Sequence, residues 1–301
     1  MMELSRILVT GGTGFFGCSL LDEISKGEFS QYHFTMLSRT ADKFEQLHAE
    51  YAALPNVEFL SADVRELGGE DEKFDYIIHA ATPSADAPED AELHDIIVNG
   101  TRKVLDFAKK CGVKKLLYIS SGGVYGKGTA PFRENFPCHP ETVYGKAKLE
   151  AEKMVLGSAV PAVIMRGFAF AGKHLRRDVH FAIGNFIADA LDKRDIVIKG
   201  DGTPLRSYMH SSDLARWMMT MLQCGRAGEI YNCGSNEAIS IKALAEKVNA
   251  VLNPAGKISV LTPLVPGTPV SCYVPDISKA ENELELRVTV NVENSIKLSV
   301  E

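Results

Sequence analysis

The sequence has no uninterrupted run of about 18 to 20 apolar residues, which is the length that a membrane-spanning helix requires. It also shows no secretory signal, because the chain enters a strand pattern at once and Glu3 and Arg6 interrupt any apolar core near the N-terminus. Internal repeats are missing as well. We therefore expect a cytoplasmic protein without a membrane partner.

Patterns that bind metal or form a disulfide framework are also missing. The six cysteines form no CxxC pair and no zinc-binding spacing, and the eight histidines form no HxxxH pair. The cysteines are Cys18, Cys111, Cys138, Cys224, Cys233 and Cys272. We expect each of them to be a small, buried or half-buried apolar side chain in a reducing compartment, and we expect no metal site.

The charge of the chain is slightly negative. Lys and Arg number 33 against 39 Asp and Glu, which gives a formal net charge of -6, and no long basic run occurs, so nucleic acid is not expected as a partner. Hydrophobic residues make up 45% and charged residues 24%, as in folded proteins with an ample core. A chain of 301 residues has room for two domains, or for one large α/β domain with a lobe.

Short apolar runs alternate with helix patterns over the first half of the chain. Strands are predicted at residues 6–10, 34–38, 57–60, 76–79, 115–120 and 162–165, and helices at 15–25, 42–53, 95–110 and 142–156. Because parallel strands need crossover connections, this alternation predicts an α/β fold with a doubly wound parallel sheet.

The second half of the chain is less regular. Helices are predicted at 181–191, 213–222 and 241–252, a strand at 196–198, and a loop or extended edge in the proline-rich run 263–275. No clean linker separates the halves. We therefore divide the chain into a sheet domain, residues 1–165, and a smaller α/β lobe for substrate, residues 166–301, with some of its segments returning to the sheet.

A glycine-rich loop lies between the first predicted strand and the first predicted helix. Its residues are Gly11, Gly12, Thr13, Gly14, Phe15, Phe16 and Gly17. Gly12 and Gly14 allow a tight turn and a close approach to a pyrophosphate, and Gly17 lets helix and strand pack closely. The helix N-terminus offers free N–H groups to the phosphates. Residues 1–165 are thus predicted to be a Rossmann-like NAD(P)-binding domain.

The end of the second strand bears on the choice between NAD and NADP. An Asp or Glu normally holds the adenine ribose of NAD there, but this chain has Ser38 and Arg39, with no acid until Asp42. Because arginine binds phosphate with two hydrogen bonds, the pattern favours NADP(H); NAD(H) remains open, and Arg39 could instead be a solvated loop residue. Asp63 could meet the adenine amino group or cap the turn that begins at Val64.

Tyr144 and Lys148 are four residues apart on a predicted helix and therefore share one face. A phenol with a pKa of about 10 is a poor acid–base group near neutral pH unless cations lower that pKa. An ammonium group one turn away, together with an oxidised nicotinamide, would do so. Ser121, at the exit of the fifth strand, could hydrogen-bond a sugar hydroxyl or ketone beside the tyrosine.

Together these residues resemble the extended short-chain dehydrogenases/reductases of the NAD-dependent epimerase/dehydratase family, whose members mostly process nucleotide sugars. The resemblance runs from Ile7 to Leu298 and includes further residues at the family's usual points. These are His79, Ala80, Ala81, Asn99, Val124, Tyr125, Gly126, Arg166, Gly200, Asp201, Gly202, Arg206 and Asp213. The resemblance implies an enzyme with Ser121, Tyr144 and Lys148 as its catalytic triad.

The resemblance also implies two sets of binding residues. For the cofactor they are, besides the glycine loop, Ser38, Arg39, Asp63, Val64, His79, Ala80, Ala81, Asn99, Ser120, Tyr144 and Lys148. For a nucleotide-diphosphate sugar they are Thr82, Ser121, Gly122, Tyr125, Phe168, Lys173, Arg176 and Arg206. Arg206 would bind the diphosphate and the loop 172–179 would help to close the sugar site, although its cations could equally form a basic surface loop.

The family resemblance further implies a homodimer, built from the helix at 95–110 and the helix that begins near 144. The apolar side chains Ile96, Ile97, Leu105 and Phe107 could form that surface, or could be ordinary core residues.

Two departures from the family's pattern narrow the choice among the family's reactions. Sugar 4,6-dehydratases carry an Asp-Glu pair between the catalytic Ser/Thr and the Val-Tyr-Gly, whereas this chain has Gly122 and Gly123 there, and glycine cannot transfer a proton. Ala169 replaces an Asn that normally contacts the substrate, so the sugar is expected to be held differently.

Three functions stay open. The first is NADPH-dependent reduction of an NDP-4-keto-(6-deoxy)sugar, such as a deoxysugar precursor of a surface polysaccharide, which needs only the Ser-Tyr-Lys set and a dissociable cofactor. The second is a redox-neutral epimerase or dehydratase that keeps its NAD(P) tightly bound. The third is a non-catalytic dinucleotide-binding sensor, against which the complete triad speaks.

Overall fold

A computed structural model of the protein describes residues 4–68, 73–83, 89–177 and 181–301. The strands are β1 (Ser5–Thr10), β2 (Tyr32–Ser38), β3 (Val57–Ser61), β4 (Tyr76–His79), β5 (Lys115–Ser121), β6 (Ala162–Gly167), β7 (Phe170–Ala171), β8 (Ile196–Ile198), β9 (Leu205–Arg206), β10 (Met209–His210), β11 (Ile230–Cys233), β12 (Ile239–Ser240), β13 (Ile258–Val260) and β14 (Cys272–Tyr273). The helices are α1 (Phe15–Ser25), α2 (Ala41–Leu47), α3 (Ala49–Ala52), α4 (Asp90–Cys111), α5 (Val143–Leu156), α6 (Ala182–Leu191), α7 (Ser211–Cys224), α8 (Ile241–Leu252), α9 (Ser278–Leu284) and α10 (Val292–Leu298). Short 3₁₀ turns, Val64–Glu66 and Gly122–Val124, follow β3 and β5.

Seven of these strands form one parallel sheet in the order β11-β6-β5-β4-β1-β2-β3. This confirms the doubly wound parallel sheet that the alternation of strands and helices predicts. The order reverses between β1 and β4, which are neighbours in the sheet but not in the chain. Sheets of this kind bind ligands at such a reversal, outside the carboxyl ends of the strands.

The apolar pattern does not reveal β11, which adds a strand to the sheet beside β6. This strand is short and carries a polar residue, Asn232, opposite Arg166 of β6. Asn232 is fully buried, and its amide nitrogen donates to the carbonyl oxygens of Phe132 and Asp276. Because its side chain is satisfied by the backbone of other segments, a polar residue is accommodated inside the sheet.

The two faces of the sheet bury alternate side chains of the same strand. On β1, Ile7 and Val9 join the apolar cluster that contains Trp217 of α7, whereas Leu8 points the other way into the cluster that contains Phe107 of α4. Full burial of each such side chain contributes about 1.5 to 3 kcal/mol. The strand is therefore held from both sides, as a parallel strand between two helical layers must be.

The side chains proposed for a dimer surface are core residues. Ile96, Ile97, Leu105 and Phe107 of α4 are buried within the chain and belong to the cluster between the sheet and the helices α4 and α5. The interpretation of these four side chains as ordinary core residues is therefore correct, and they do not form a dimer surface.

Local predictions differ from the structure at several points. The helix expected over 42–53 is broken at His48, which leaves helical geometry with φ -126° and ψ 65° while its ring stacks on Phe44. Helix α4 begins at Asp90, whereas the apolar pattern predicts a start at 95. The pattern misses the first turn because that turn is polar and lacks an apolar period. Cys224 ends α7 at the surface and is exposed, contrary to the burial expected for each cysteine.

The C-terminal half contributes a third apolar cluster and several small sheets. Ile183 of α6, Ile196 of β8 and Leu244 of α8 pack together in this cluster. In the sheet β12-β9-β14, Tyr273 of β14 is paired with Arg206 of β9. The extended edge expected in the proline-rich run is therefore β14. Residues 178 and 179 of the predicted loop 172–179 lie outside the described residues.

Candidate active site

The glycine loop between β1 and α1 is held by backbone packing. A Cβ atom on Gly17 would lie 2.0 Å from the carbonyl oxygen of Gly12, and one on Gly12 would lie 2.7 Å from Cα of Met36. A Cβ atom on Gly14 would meet only the carbonyl oxygen of Gly11, at 3.3 Å, and Gly14 is exposed. Gly12 and Gly17 thus bring strand and helix together, while Gly14 leaves open space at the end of the helix.

The loop fits the pyrophosphate of a dinucleotide. Gly14 is the N-cap of α1 and supplies no side-chain hydrogen bond, so the first N–H groups of the helix have no side-chain cap. Such groups, with the positive end of the helix dipole, bind phosphate. Phe15 and Phe16 pack against Phe170 of β7, with ring centroids 6.0 and 5.6 Å away, and so tie the start of α1 to the C-terminal half.

The residues after β4 line the other side of this loop. A Cβ atom on Gly11 would lie 2.8 Å from the carbonyl oxygen of Ala80. The N–H of Ala81 donates to the hydroxyl of Thr10 at 3.3 Å, and the same hydroxyl lies 2.7 Å from Nδ1 of His79. Together they hold the carboxyl ends of β1 and β4 at the point where the strand order reverses.

His79 is a buried structural histidine. Its Nε2 lies 3.1 Å from the hydroxyl of Thr101 on α4, and its exposure is 2%. Burial, together with the nearby charge of Lys148, lowers the pKa of His79 to about 3, so the ring is neutral at physiological pH. Its role is to hold strand and helix beside the loop.

The second and third strands end at the residues expected to bind the adenosine. Ser38 Oγ accepts a 2.8 Å hydrogen bond from the hydroxyl of Thr13, which joins the glycine loop to the end of β2. Arg39 is exposed beside it. The guanidinium of Arg65, and more weakly the charge of Arg39, lower the pKa of the Asp63 carboxyl below its usual value. Arg39 therefore lies close enough to Asp63 for the charges to interact.

Asp63 caps the turn that begins at buried Val64, which is one of the two roles the sequence allows. Its carboxylate accepts from the backbone N–H of Arg65 at 2.9 Å and from Nη2 of the same arginine at 2.8 Å. Arg65 also donates to Asp95 of α4, and Asp95 in turn accepts from Asn99. The structure thus places Asn99 in a polar chain along α4 that leads back to Asp63.

Tyr144 and Lys148 lie on the first turns of α5, as their spacing predicts. Thr142 caps this helix by accepting the N–H of Gly145 at 3.1 Å. Lys148 is 3% exposed, and its Nζ donates to the hydroxyl of Thr82 at 2.7 Å and to the carbonyl oxygen of Ile119 at 2.8 Å. Its Nζ is 5.9 Å from the centre of the Tyr144 ring. Cation and phenol are therefore brought together.

Burial shapes the proton affinity of both groups. Desolvation, opposed by the charge of Glu152, lowers the pKa of Lys148 to about 7. Desolvation raises the pKa of Tyr144 above its usual value, and a hydrogen bond from Ser121 acts in the opposite direction. Tyr144 is therefore a protonated phenol at neutral pH and is suited to donate its proton.

Ser121 ends β5 and caps the turn Gly122–Val124. Its Oγ accepts the N–H of Gly123 at 3.0 Å. A Cβ atom on Gly123 would lie 3.3 Å from this Oγ and 3.9 Å from Cε1 of Tyr144. The side chains of Ser121 and Tyr144 therefore lie close to the same point of the turn. The three residues of the predicted triad thus meet at the carboxyl end of β5.

A buried ion pair joins helix α5 to strand β6. Glu152, one turn beyond Lys148, binds Arg166 of β6 through two hydrogen bonds of 3.0 and 2.7 Å and accepts from Ser120 at 2.5 Å. Both charged side chains are almost fully buried. Ser120, expected at the cofactor, here links β5 to α5 and β6 through Glu152.

The side of the site where the sequence predicts substrate binding is aromatic. Tyr125, Phe132 and Phe168 form one buried cluster, and the ring of Tyr273 packs on Phe168 with centroids 4.7 Å apart. The guanidinium of Arg206 lies 5.9 Å from the centre of the Tyr273 ring. Tyr125, Phe168 and Arg206 were all expected near substrate, and Tyr273 connects them to Gly122.

Tyr273 is the site residue that sequence reasoning misses. A Cβ atom on Gly122 would lie 2.6 Å from the Tyr273 hydroxyl oxygen. Its chain position in the proline-rich run carries no local signal, and only the pairing of β14 with β9 brings it to the triad. The glycine at 122 would have been the available hint, since it leaves a space that another side chain must fill.

Lys173, which the sequence analysis expects at the substrate, is instead paired with helix α1. Its Nζ forms a 2.8 Å ion pair with Asp22 of α1, and His174 lies 3.1 Å from the same carboxylate. Arg177 donates to the backbone oxygen of Ser299. These contacts favour the interpretation of the loop from Gly172 as a basic surface segment anchored to α1.

Over residues 4–68, 73–83, 89–177 and 181–301, no three His, Cys, Asp or Glu side chains are grouped so as to hold a metal ion. Within the same ranges, no helix combines the length and the apolar character needed to cross a membrane.

The chain is similar in sequence to several known proteins over nearly its whole length. It is 26% identical to the UDP-N-acetyl-alpha-D-glucosaminuronate decarboxylase of Bacillus cytotoxicus, over 98% of this chain and 97% of the relative. It is 28% identical to the dTDP-4-dehydro-6-deoxyglucose reductase of Escherichia coli, over 96% of this chain and 95% of the relative. A dTDP-glucose 4,6-dehydratase of Actinoplanes sp. matches with the same identity, over 98% of this chain and 96% of the relative.

The fold also matches a solved structure. The UDP-glucuronic acid 4-epimerase of Bacillus cereus, in complex with UDP-glucuronic acid and NAD, superposes with a TM-score of 0.84 at 24% identity, over 98% of this chain and 97% of that one. The sequence model of the NAD dependent epimerase/dehydratase family matches residues 7–234. A non-catalytic sensor is thereby set aside, and the chain is an enzyme of the NAD dependent epimerase/dehydratase family.

Proposed function

We propose that this enzyme uses NADPH to reduce the keto group of an NDP-4-keto-(6-deoxy)sugar. The observation that carries the proposal is the meeting of Ser121, Tyr144 and Lys148 beside two glycines, Gly122 and Gly123. This set can move a proton to or from an oxygen atom. Residues 122 and 123 supply no acid or base for the elimination of water that a 4,6-dehydratase performs.

Each residue of the triad has a role in that reduction. Ser121 holds the carbonyl oxygen of the substrate, and Tyr144 donates its proton to that oxygen. Lys148 stabilises the phenolate that remains, since an opposite charge within about 4 to 6 Å favours the charged form of a phenol. A bound NADPH would supply the hydride to the carbonyl carbon.

The cofactor loop supports a dinucleotide, and the end of β2 supports NADP over NAD. Ser38 is joined to the loop through Thr13, and Arg39 is exposed next to it, where a 2′-phosphate on the adenine ribose would lie. A guanidinium binds such a phosphate with two hydrogen bonds. The UDP-glucuronic acid 4-epimerase named above is in complex with NAD, which leaves NAD(H) as the alternative cofactor.

The substrate class rests on the relatives and on the aromatic side of the site. Each relative named above acts, by its name, on a sugar carried by UDP or dTDP. Arg206, half-buried at the edge of this side, would bind the diphosphate. The buried rings of Tyr125 and Phe168 would face the sugar.

A redox-neutral epimerase is the second candidate. The specific observation in its favour is the superposition, over nearly the whole of both chains, on a UDP-glucuronic acid 4-epimerase. The same Ser-Tyr-Lys set serves an epimerase, because Tyr144 can remove a proton from a hydroxyl as well as donate one to a ketone.

The nucleotide released on denaturation distinguishes the two candidates. The purified protein is unfolded, and any released nucleotide is identified by chromatography and mass spectrometry. The reductase requires an exchangeable site that binds NADPH more tightly than NADH. Stoichiometric, non-exchanging NAD would contradict the reductase and support the epimerase.

Two further proposals follow from family resemblance. A cytoplasmic location is checked by fractionation of cells that express the protein. A homodimer is checked by sedimentation equilibrium; its surface must lie outside the buried side chains of α4, such as Ile97 and Phe107.

A further inference from the structure

The ammonium group of Lys148 is buried against two neutral acceptors. An ammonium group has three N–H bonds with which to donate. Lys148 donates to the hydroxyl of Thr82 at 2.7 Å and to the carbonyl oxygen of Ile119 at 2.8 Å. The residue is only 3% exposed. Because burial of a charge is unfavourable unless other groups replace the lost water, further stabilisation of this cation is expected.

The negative charge that acts on this ammonium group is already engaged. Glu152 lies one turn further along α5 and acts on Lys148 through its charge. Its carboxylate forms a 2.7 Å ion pair with Arg166 and also accepts from Ser120 at 2.5 Å. The positive charge of Arg166 offsets part of the attraction that Glu152 exerts on Lys148. Glu152 is therefore not a dedicated counter-charge for Lys148.

The aromatic ring of Tyr118 faces the same ammonium group. The Nζ atom of Lys148 lies over this ring, 5.0 Å from its centre, and is closer to it than to the ring of Tyr144, whose centre is 5.9 Å away. The face of an aromatic ring carries partial negative charge and attracts a cation within about 6 Å of its centre. This attraction is largest where water is excluded, and Tyr118 is 1% exposed.

The ring of Tyr118 is fixed by the strand that carries it. Tyr118 lies in β5, which pairs with β4 on one side and with β6 on the other. Its ring also contacts the ring of His79 on β4, with centroids 5.5 Å apart. His79 is held by Thr10 and Thr101, and burial lowers its pKa to about 3, so this neighbour is neutral at physiological pH. The cation that faces Tyr118 is therefore Lys148.

The hydroxyl group of Tyr118 does not account for the placement of this residue. It is buried and has no hydrogen-bond partner within the part of the chain that the structure describes. Burial raises the pKa of this phenol well above its usual value, so the side chain is uncharged at neutral pH. Since a buried hydroxyl without a partner is unfavourable, the ring is the part of Tyr118 that the site uses.

We propose that Tyr118 is a positioning residue whose ring face stabilises the ammonium group of Lys148 beside Tyr144. The inference rests on the proposed function, in which this cation stabilises the Tyr144 phenolate after the proton has moved to the substrate. The other titratable groups that act on Lys148 among the described residues are Glu152, His79 and Tyr144. The first is already in an ion pair, the second is neutral and the third is a protonated phenol, so none of them replaces the ring.

Aromatic rings of graded charge at position 118 test the proposal. Tyr118→Phe removes only the hydroxyl. Incorporation of mono-, tri- and pentafluorophenylalanine at the same position then withdraws charge from the ring face with little change in shape. We expect the pKa of Lys148 to fall stepwise with the number of fluorine atoms, by about one pH unit over the series. In protein labelled with ¹³C at lysine Cε, the Lys148 resonance, assigned with Lys148→Met, reports this pKa.

The matched control is pentafluorophenylalanine at Phe107. This ring is buried in the same apolar cluster and packs on Phe74, with centroids 6.0 Å apart. Fluorination there is expected to leave the pKa of Lys148 unchanged. If the pentafluorinated protein does not fold, the members with fewer fluorine atoms give the slope. A Lys148 pKa that does not change along the series at 118, or that falls equally in the control, would overturn the proposal.

A kinetic measurement separates this inference from the proposed function. Because reduction uses the charged form of Lys148, we expect the basic limb of the pH profile of kcat to move down in step with the Lys148 pKa, with KM nearly unchanged. A stepwise fall in pKa without reduction of any NDP-4-keto-(6-deoxy)sugar would contradict the proposed function and support the role of Tyr118. Reduction with a Lys148 pKa that is independent of the ring would do the reverse.

Discussion

The amino group of Lys148 donates a 2.7 Å hydrogen bond to the hydroxyl of Thr82, which joins helix α5, where Tyr144 of the proposed triad also lies, to the segment that follows β4. The same amino group donates to the carbonyl oxygen of Ile119 on β5 at 2.8 Å. Two neighbouring strands of the sheet thus position one cation beside Tyr144. The geometry of the proposed triad is set at the carboxyl edge of the sheet, where β4 and β5 end.

Replacement of Thr82 by Val tests this positioning. Thr82→Val removes the hydroxyl that accepts a hydrogen bond from Lys148 and leaves a side chain of similar shape, so Lys148 loses one of its two hydrogen-bond acceptors. We expect kcat to fall by about ten-fold, the cost of a hydrogen bond to a charged group. Thr82→Ser keeps the hydroxyl and is expected to retain most of the activity. Equal losses in the two variants would show that shape, not the hydrogen bond, matters.

The buried amino group of Lys148 makes stability depend on pH. Its folded pKa of about 7 lies below the ordinary value of 10.5, so between these values the unfolded chain binds the proton more tightly than the folded chain does. The free energy of unfolding therefore rises with pH across that window and is lowest below it. Lys148→Met abolishes this contribution.

We expect the free energy of unfolding of Lys148→Met to exceed that of the unmodified protein by the largest margin at about pH 6.5. This margin is expected to shrink by about 2 kcal/mol at about pH 9. Urea unfolding at the two pH values measures the difference. Lys153→Met, on the same helix, is the control. A gap that stays constant with pH would show that Lys148 keeps an ordinary pKa in the folded protein.

The ion pair between Glu152 and Arg166 is expected to be costly to break. Both side chains are almost fully buried, so Glu152→Gln leaves the guanidinium of Arg166 without its counter-charge. Removal of one partner from such a pair destabilises by about 3 to 5 kcal/mol. The double variant Glu152→Leu with Arg166→Met removes both charges and is expected to recover part of that loss. A single variant as stable as the unmodified protein in urea would contradict this.

Two glycines of the cofactor loop are expected to respond differently to alanine. Gly17→Ala places Cβ 2.0 Å from the carbonyl oxygen of Gly12 and is expected to disrupt folding. Gly14→Ala meets only the oxygen of Gly11 at 3.3 Å, and its φ of -85° suits alanine. It is expected to fold, with the Kd for NADPH raised about ten-fold, because its methyl group enters the phosphate site. Thermal unfolding and a fluorescence titration check the pair.

The sequence predicts well what depends on local spacing. The glycine loop, with Gly12 and Gly17 in backbone contact, and the pair Tyr144 and Lys148 on one helix face are each contained in a few consecutive residues. Their chemistry can therefore be recognised before the fold is known. The alternation of apolar runs similarly predicts the parallel sheet, because a buried strand must be apolar on both faces.

Features that arise from pairing across the chain escape such reasoning. Tyr273 reaches the active site only because β14 pairs with β9, and the proline-rich run around it has no helix or strand period. Asn232 interrupts the apolar pattern of β11 and is satisfied by carbonyl groups about 100 and 44 residues away in the chain. The ion pair of Lys173 with Asp22 likewise joins segments that no local pattern connects.

Transfer of a labelled hydride from the cofactor to the sugar distinguishes the reductase from the redox-neutral alternative. The enzyme is incubated with NADPH deuterated at C4 of the nicotinamide and with a nucleotide-linked 4-keto-6-deoxysugar, and the product is analysed by mass spectrometry and NMR. We expect that one equivalent of NADPH is oxidised per product, that deuterium appears at C4 of the sugar, and that Tyr144→Phe abolishes transfer. Conversion of a nucleotide sugar with no net NADPH oxidation and no deuterium in the product would contradict it and establish the redox-neutral alternative.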